Sequence, residues 1–137
     1  MTDDAIPPLF QRHFRRSGLT DPWEPLYSQR LAEAVYLGLR AGPAHANSRG
    51  FVHGGLLTAL ADNAMGLSCI QANGESLALV TVNLSMDFVA AARQGQWIEF
   101  RPTVIKTGRS LSFAGAVVMA DEKICARANA TFQGVAR

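Results

Sequence analysis

The sequence has almost no excess of charge of either sign. Its 137 residues include 13 basic and 11 acidic side chains, which leaves a formal net charge of +2. No run of lysine and arginine and no zinc-ligand spacing occurs along the chain. Because nucleic-acid-binding proteins need a concentrated basic patch, this pattern argues against DNA or RNA as a partner. The small basic excess is compatible with a weak preference for an anionic ligand.

Cysteines and long apolar runs are also scarce. Cys69 and Cys125 lie far apart in apolar surroundings, which favours buried free thiols over a disulfide. No apolar run reaches the ~18 residues that a membrane span needs, so we expect no membrane partner. The first residues, Met1 to Asp4, lack the basic and then apolar order of a signal peptide. Together these absences predict a reducing, cytoplasmic setting.

Apolar residues make up 48% of the chain, which is enough for the core of one domain. We divide the sequence into an N-terminal segment, residues 1–25, and a main domain, residues 26–137. Pro7 and Pro8 could start a short helix over Leu9–Ser17, with its aromatic and leucine side chains on one side. Asp21–Pro25 is rich in turn-forming residues and predicts a connector.

One long helix and six strands are predicted for the main domain. Residues Leu56–Gln71 are apolar around nearly the whole helix circumference, so this helix should be buried on most sides. Asn73 and Gly74 predict its end. Strands are predicted before the helix at Leu26–Leu31 and Ala34–Arg40. Four more should follow, from Val80, over Trp97–Lys106, over Leu111–Met119 and from Ile124.

The alternation of residue types assigns faces to the later strands. Val82, Leu84, Met86 and Phe88 alternate with Thr81, Asn83, Ser85 and Asp87. Pro102 predicts a bulge or an edge position in its strand. In the last strand, one face should seat the helix because most of its residues are small: Ile124, Ala126, Ala128, Ala130 and Phe132. These patterns predict an α+β fold with an antiparallel sheet wrapped around one central helix. The free edges of the sheet could pair with a second copy of the chain.

A short motif carries the chemistry. Asn47 stands in a polar loop that ends in His53-Gly54-Gly55 and leads straight into the predicted helix. Two glycines at a helix N-terminus allow close approach of a ligand to free N–H groups. Asp62, inside an otherwise apolar helix, needs a functional reason because burying a charge is costly. The spacing of His45, His53 and Asp62 fits no metal-ligand pattern, so we expect no metal.

These residues resemble the hotdog-fold acyl-CoA thioesterases of the phenylacetate-pathway and 4-hydroxybenzoyl-CoA type. The resemblance spans Leu26–Gln133 and rests on Asn47, Gly50, His53–Gly55, Leu60–Asn63, Thr81–Phe88 and Gly108–Ser110. It implies the hotdog fold, an acyl-CoA substrate and no cofactor. It also implies a homodimer, often paired into a dimer of dimers, with the active site at the subunit interface.

The resemblance also implies roles for single residues. The amides of Gly54 and Gly55 would polarise the thioester carbonyl, and Asp62 would be a general base or a nucleophile. Asn47 could hold the water or the thioester oxygen, or could only form a local turn. Thr81 could hydrogen-bond the acid, or could simply be a β-branched strand residue. For His53 we favour fixing of the loop over a role as base.

Substrate contacts are less specific. Basic residues in or beside turns could contact coenzyme A, although each could also be an ordinary surface charge: Arg93, Lys106 and Arg109. Candidate walls of the acyl pocket, each with core packing as the alternative, are Leu57, Ala61, Met65 and Phe88. Aryl, phenylacetyl and medium-chain acyl groups all remain open. Competing functions are a non-catalytic acyl-CoA-binding module and a hydratase or dehydratase of the same fold.

Overall fold

The computed structural model describes residues 5–74 and 77–135 and contains one α-helix packed against one antiparallel sheet. The helix, α1, spans Gly54–Ala72. The strands are β1 Gln11–Arg12, β2 Tyr27–Arg30, β3 Val35–Arg40, β4 Ala78–Phe88, β5 Trp97–Lys106, β6 Leu111–Ala120 and β7 Lys123–Val135. Their order across the sheet is β1-β2-β3-β5-β6-β7-β4. The predicted α+β arrangement is therefore confirmed, with one more strand than expected.

Helix α1 is buried on most of its surface, as its apolar circumference predicted. Leu60, Ala61 and Met65 are almost inaccessible to solvent. The buried Ser68 hydroxyl donates to the Ala64 carbonyl at 2.7 Å and accepts from the Val35 N–H at 2.9 Å. Because this polar group is fully satisfied, its burial is inexpensive, and it ties the helix to β3.

Small side chains on β6 and β7 let the helix lie close to the sheet. The buried residues of this face include Ala114, Ala116, Ala126, Ala128 and Ala130. The prediction for Ile124 is wrong, since its side chain is 48% exposed. The β6–β7 register jumps from Val118↔Ala126 to Met119↔Ile124, so Cys125 is an extra residue that turns Ile124 to the outer face.

A second bulge, in β4, places Thr81 on the helix side of the sheet. Thr81 pairs with Phe132 and Asn83 pairs with Thr131, which leaves Val82 without an opposite residue. Simple alternation put Thr81 on the same face as Asn83. That assignment is wrong, because an extra residue reverses the faces on one side of the bulge.

Pro102 occupies the position that its chemistry requires. The pairing of β3 with β5 ends at Leu37↔Phe100, so in the described part of the chain β5 has only β6 beside it beyond Phe100. Proline cannot donate a backbone hydrogen bond and is therefore found at sheet edges and bulges. Of the two predicted settings, a bulge or an edge, the structure shows a local edge in one half of a central strand.

The N-terminal segment is not helical over Leu9–Ser17, so that prediction is wrong. Gln11 and Arg12 form β1 and pair with β2. The Phe10 ring packs edge-on against Trp97 at 5.2 Å between centroids, whereas Leu9 is 70% exposed. These side chains share no common apolar face, which a helix of this length would need for stability. The predicted boundary at residue 25 stays a prediction.

Both thiols are free and buried, as predicted. Burial raises the pKa of Cys69 to about 11 and also raises the pKa of Cys125. A raised pKa keeps a thiol protonated and unreactive at neutral pH. In residues 5–74 and 77–135, no helix is long and apolar enough to cross a membrane.

Candidate active site

The start of α1 is capped by a histidine side chain. His53 is the N-cap residue, and its Nδ1 accepts a hydrogen bond from the Gly55 N–H at 2.8 Å. A Cβ atom at position 55 would lie 2.9 Å from that Nδ1, so only glycine leaves the ring in place. The loop-fixing role favoured for His53 therefore has a definite geometry.

The cap leaves the Gly54 N–H as a free donor at the helix start. Gly54 is the first residue of α1, where no earlier turn can accept its N–H. Among the described residues, this N–H has no hydrogen-bond partner, whereas the Gly55 N–H is occupied by His53. A Cβ at position 54 would lie 3.2 Å from the Phe88 ring. Of the two predicted amides, Gly54 is thus the one available to a ligand.

The polar loop before the cap is organised by Asn47. The Asn47 Oδ1 accepts hydrogen bonds from the Arg49 N–H at 2.9 Å and the Phe51 N–H at 3.1 Å. The Asn47 N–H donates to the Phe51 carbonyl at 2.7 Å. The side-chain oxygen is thus used for the local turn, and only the side-chain NH₂ group could still donate to a ligand.

His45 is a structural residue. Its buried ring accepts from the Gly42 N–H at Nδ1, and its Nε2 donates to the Trp23 carbonyl at 2.8 Å. Both ring nitrogens are therefore engaged within the protein. No group of three or more potential metal ligands is found in the part of the chain that the structure describes.

Asp62 lies near the middle of α1 and is half-buried. The Thr81 hydroxyl donates to Asp62 Oδ1 at 2.6 Å, which the reversal of faces at the Val82 bulge makes possible. Among the described residues, Asp62 Oδ2 has no hydrogen-bond partner. One carboxylate oxygen is thus held in place and the other is available for chemistry.

A cavity of about 260 Å³ adjoins Asp62. Helix and sheet residues contribute a mainly apolar part of its wall, formed by Leu26, Leu37, Gly66, Leu67, Ile70, Leu79 and Phe132. Residues of the N-terminal segment contribute a polar part, formed by His13, Arg15, Arg16, Ser17 and Thr20. The cavity residues of the N-terminal segment were not predicted, since the sequence pattern alone does not place that segment beside α1.

Asp62 and the Gly54 amide are far apart within one chain. They are eight positions apart on α1, which at a rise of about 1.5 Å per residue separates them by about 12 Å. Gly54 lines a different, open pocket with Val52, Leu57 and Phe88, and the two pockets share no residue. Reacting groups must approach to about 3–3.5 Å, so one chain cannot present both groups to the same carbonyl.

Comparison with known proteins identifies the family. The model of the thioesterase superfamily matches residues 49–132, which include both Gly54 and Asp62. This chain belongs to the thioesterase superfamily. It is 35% identical to PA0474, a proposed esterase of Pseudomonas aeruginosa, over 128 residues that cover 93% of this chain and 96% of that protein.

Comparison with solved structures confirms the hotdog fold. Zebrafish thioesterase superfamily member 2 matches with a TM-score of 0.79 at 22% identity, over 88% of each chain. The protein smu.793 of Streptococcus mutans, solved with acetyl-CoA bound, matches with a TM-score of 0.78 at 20% identity, over 91% of this chain and 96% of that one. At these identities the similarity establishes the fold alone.

The basic residues predicted to contact coenzyme A do not converge in one copy of this thioesterase-superfamily chain. The Arg93 guanidinium lies 5.0 Å from the centre of the Phe51 ring, beside the loop that precedes α1. Lys106 ends β5, and Arg109 lies in the turn that packs against Gly134 of β7. Arg93 therefore belongs to the helix-start region, and the other two lie in the β5–β6 turn region.

The four predicted acyl-pocket residues separate in a similar way. Leu57 and Phe88 line the open pocket beside Gly54. Ala61 and Met65 are inaccessible to solvent and belong to the core, which was the alternative reading for them. Residues that are packed on all sides offer no surface to a substrate in this conformation.

Strand β4 leaves one long edge of the sheet unpaired. Among residues 5–74 and 77–135, its 11 residues pair only with β7. Val80, Val82 and Phe88 are 47%, 50% and 55% exposed. A long apolar edge strand is a ready template for pairing with another chain.

Proposed function

We propose that this chain is an acyl-CoA thioesterase that hydrolyses a thioester to the free acid and coenzyme A. The observation that carries the proposal is Asp62, held by the Thr81 hydroxyl at 2.6 Å beside a cavity. A carboxylate in this setting can accept the proton of a water molecule or attack a carbonyl carbon. Membership in the thioesterase superfamily supports the same reaction.

In the proposed reaction, the Gly54 N–H donates to the thioester oxygen and stabilises the oxyanion that forms there. Asp62 either removes a proton from the attacking water or attacks the carbonyl itself and forms a mixed anhydride, which water then cleaves. In both routes the C–S bond breaks and the thiolate of coenzyme A leaves. Thr81 orients the carboxylate, and His53 maintains the helix start.

We further propose that the active unit is a homodimer, with Gly54 supplied by one copy and Asp62 by the other. The separation of about 12 Å along α1 supports this arrangement, because it prevents the two groups of one chain from meeting. Pairing of the β4 edges would also cover the exposed Val80, Val82 and Phe88. A dimer of dimers and a cytoplasmic location remain part of this proposal.

Complementation between two inactive variants tests the shared site. Gly54→Pro removes the free N–H, and proline is favoured at the first position of a helix. The ψ of 133° at His53 suits a residue that precedes proline. Asp62→Asn removes the acid. In a mixed dimer, one site would hold both wild-type groups and the other would hold neither.

Co-expressed variants should therefore recover about a quarter of wild-type activity, because about half of the dimers would be mixed and each would hold one intact site. Release of coenzyme A thiol from a panel of acyl-CoA esters is the readout. No recovery in mixed dimers confirmed by differential tags would contradict the shared site. Tight binding of the esters without release of thiol by the wild-type protein would instead support the binding module.

A further inference from the structure

The N-terminal segment contributes a polar part to the wall of the Asp62 cavity. We call residues 13–20 the strap. Its cavity-lining residues are His13, Arg15, Arg16, Ser17 and Thr20. The remaining walls are mainly leucine, isoleucine, phenylalanine and glycine. A ligand in this cavity would thus meet polar groups on the strap and a mainly apolar wall on the helix and sheet, which also carries Asp62, Asn63 and Thr81.

The strap is held in a defined conformation. The His13 N–H donates to the Leu26 carbonyl at 2.9 Å, which extends the pairing of β1 with β2. The Ser17 Oγ accepts from the Thr20 N–H at 3.2 Å and lies 3.0 Å from Thr20 Oγ1. The Asp21 N–H closes the same turn on the Ser17 carbonyl at 2.9 Å. These bonds make the strap a formed wall of the cavity.

One positive charge on this wall is left uncompensated. The Arg16 guanidinium pairs with Asp21 at 3.1 Å. Burial lowers the pKa of His13, so its ring is neutral at neutral pH. Arg15 forms no ion pair with any of the described residues. Arg15 is therefore the cation on the strap that a ligand could neutralise.

The size of the cavity and the charge of Arg15 together indicate the length and the terminal group of the acyl chain that would bind. A volume of about 260 Å³ is just below the roughly 300–1,000 Å³ of typical ligand pockets, which favours a short acyl group. An alkyl end against the strap would cover part of the Arg15 guanidinium without giving it a partner, which is unfavourable. A carboxylate would form a charge-assisted pair with an arginine.

We propose that the strap selects the substrate, and that this thioesterase prefers short acyl groups that carry a carboxylate at the end remote from the thioester. Arg15 binds this carboxylate. Asp62 comes from α1 and Arg15 from the strap, so the thioester and the distal carboxylate occupy different walls of the cavity. The inference rests on the proposed function, because it takes Asp62 as the group beside the thioester.

Three esters of equal chain length test the proposal: hexanoyl-CoA, 6-hydroxyhexanoyl-CoA and adipoyl-CoA. We expect the wild-type kcat/KM for adipoyl-CoA to exceed the other two by about tenfold or more, as charge-assisted pairing predicts. Arg15→Gln should abolish this preference mainly through KM. Arg15→Lys should keep part of it. Arg12→Gln is the matched control, since Arg12 lies on the same segment but outside the cavity.

Binding to the Asp62→Asn protein, measured by calorimetry, separates this inference from the proposed reaction. A preference for adipoyl-CoA that disappears in the Asp62→Asn/Arg15→Gln double variant would support the strap even if no ester were hydrolysed. Equal affinity for the three esters, or an unchanged preference after Arg15→Gln, would overturn it. Equal hydrolysis by wild type and Asp62→Asn would overturn the proposed function and leave the binding result to decide on the strap.

Discussion

The start and the middle of helix α1 present two kinds of functional group. At the start, the group is the Gly54 backbone N–H, kept free because the His53 ring occupies the next amide. In the middle, the group is the Asp62 side chain, held by Thr81 from a distant strand beside a cavity that the N-terminal strap also lines. The first depends on a few consecutive residues, whereas the second depends on three separate parts of the chain.

Because of this difference, we expect substitutions in the two regions to affect activity differently. A backbone donor can be lost only by proline or by a change in helix geometry, so most substitutions near it act indirectly. A side-chain acid is removed by a single isosteric change. Asp62 should therefore be the more sensitive position, and the helix start the more tolerant one.

The largest effect is expected for Asp62→Asn, which keeps the shape of the side chain and removes its basicity. Loss of a general acid–base group typically costs about 10²–10⁴-fold in rate, and we expect kcat for thiol release to fall within that range. Asp87→Asn is the control, because Asp87 is an exposed aspartate paired with Arg127 on the outer face. Activity of Asp62→Asn within tenfold of wild type would remove Asp62 from the mechanism.

Gly54→Pro compared with Gly54→Ala isolates the backbone donor. Both variants place a Cβ 3.2 Å from the Phe88 ring, but only proline removes the N–H. We expect Gly54→Pro to be about 10²–10³-fold less active than Gly54→Ala, as for other oxyanion-hole donors. Equal kcat values for the two variants would show that this N–H does not contact the reacting carbonyl.

Thr81→Val compared with Thr81→Ser tests how the acid is oriented. Valine is close in shape and removes the hydroxyl, whereas serine keeps it. A hydrogen bond to a charged group contributes about 1.5–3 kcal/mol, and Thr81 is exposed in one copy, so we expect about a tenfold loss of kcat for valine. Serine should retain most of the activity. A loss of the same size in both variants would point to packing rather than to the hydrogen bond.

The smallest effect is expected at the cap, and in stability rather than in chemistry. His53→Ala removes the acceptor of the Gly55 N–H and should lower the free energy of unfolding by about 0.5–2 kcal/mol. His53→Asn should restore much of it, because asparagine is a favoured N-cap. Thermal unfolding of the three proteins measures the difference. If His53→Asn were less stable than His53→Ala, the proposed capping role of the residue 53 side chain would be wrong.

The helix and most strands could be predicted because their signals are local. The apolar circumference of α1 and the row of alanines on β7 each describe one element and its buried face. The failed helix over Leu9–Ser17 shows the limit of such signals. A few apolar residues fit a helix or an extended segment equally well, and the extended form prevailed because Phe10 packs on Trp97.

The site could be predicted only in part, for a related reason. The residues near Gly54 and the acid at Asp62 stand out in the sequence as glycines at a helix start and a charge in an apolar run. Thr81 was identified by resemblance, but its face was assigned wrongly, because alternation assumes that no bulge intervenes. Arg15 carried no signal, since a solvated arginine and a cavity-lining one look alike in sequence.

The sequence alone therefore determined the central helix, its glycine-rich start, the acid within it and the pairs of strands joined by short turns, because these features arise from neighbouring residues. Only the tertiary structure decided which of the Gly54 and Gly55 amides is free, which face Thr81 occupies and which segments line the cavity beside Asp62. Each of these depends on a register shift or on packing between distant segments. The separation of Gly54 from Asp62 follows from helix geometry, and the folded chain adds the unpaired edge where a second copy could bring them together.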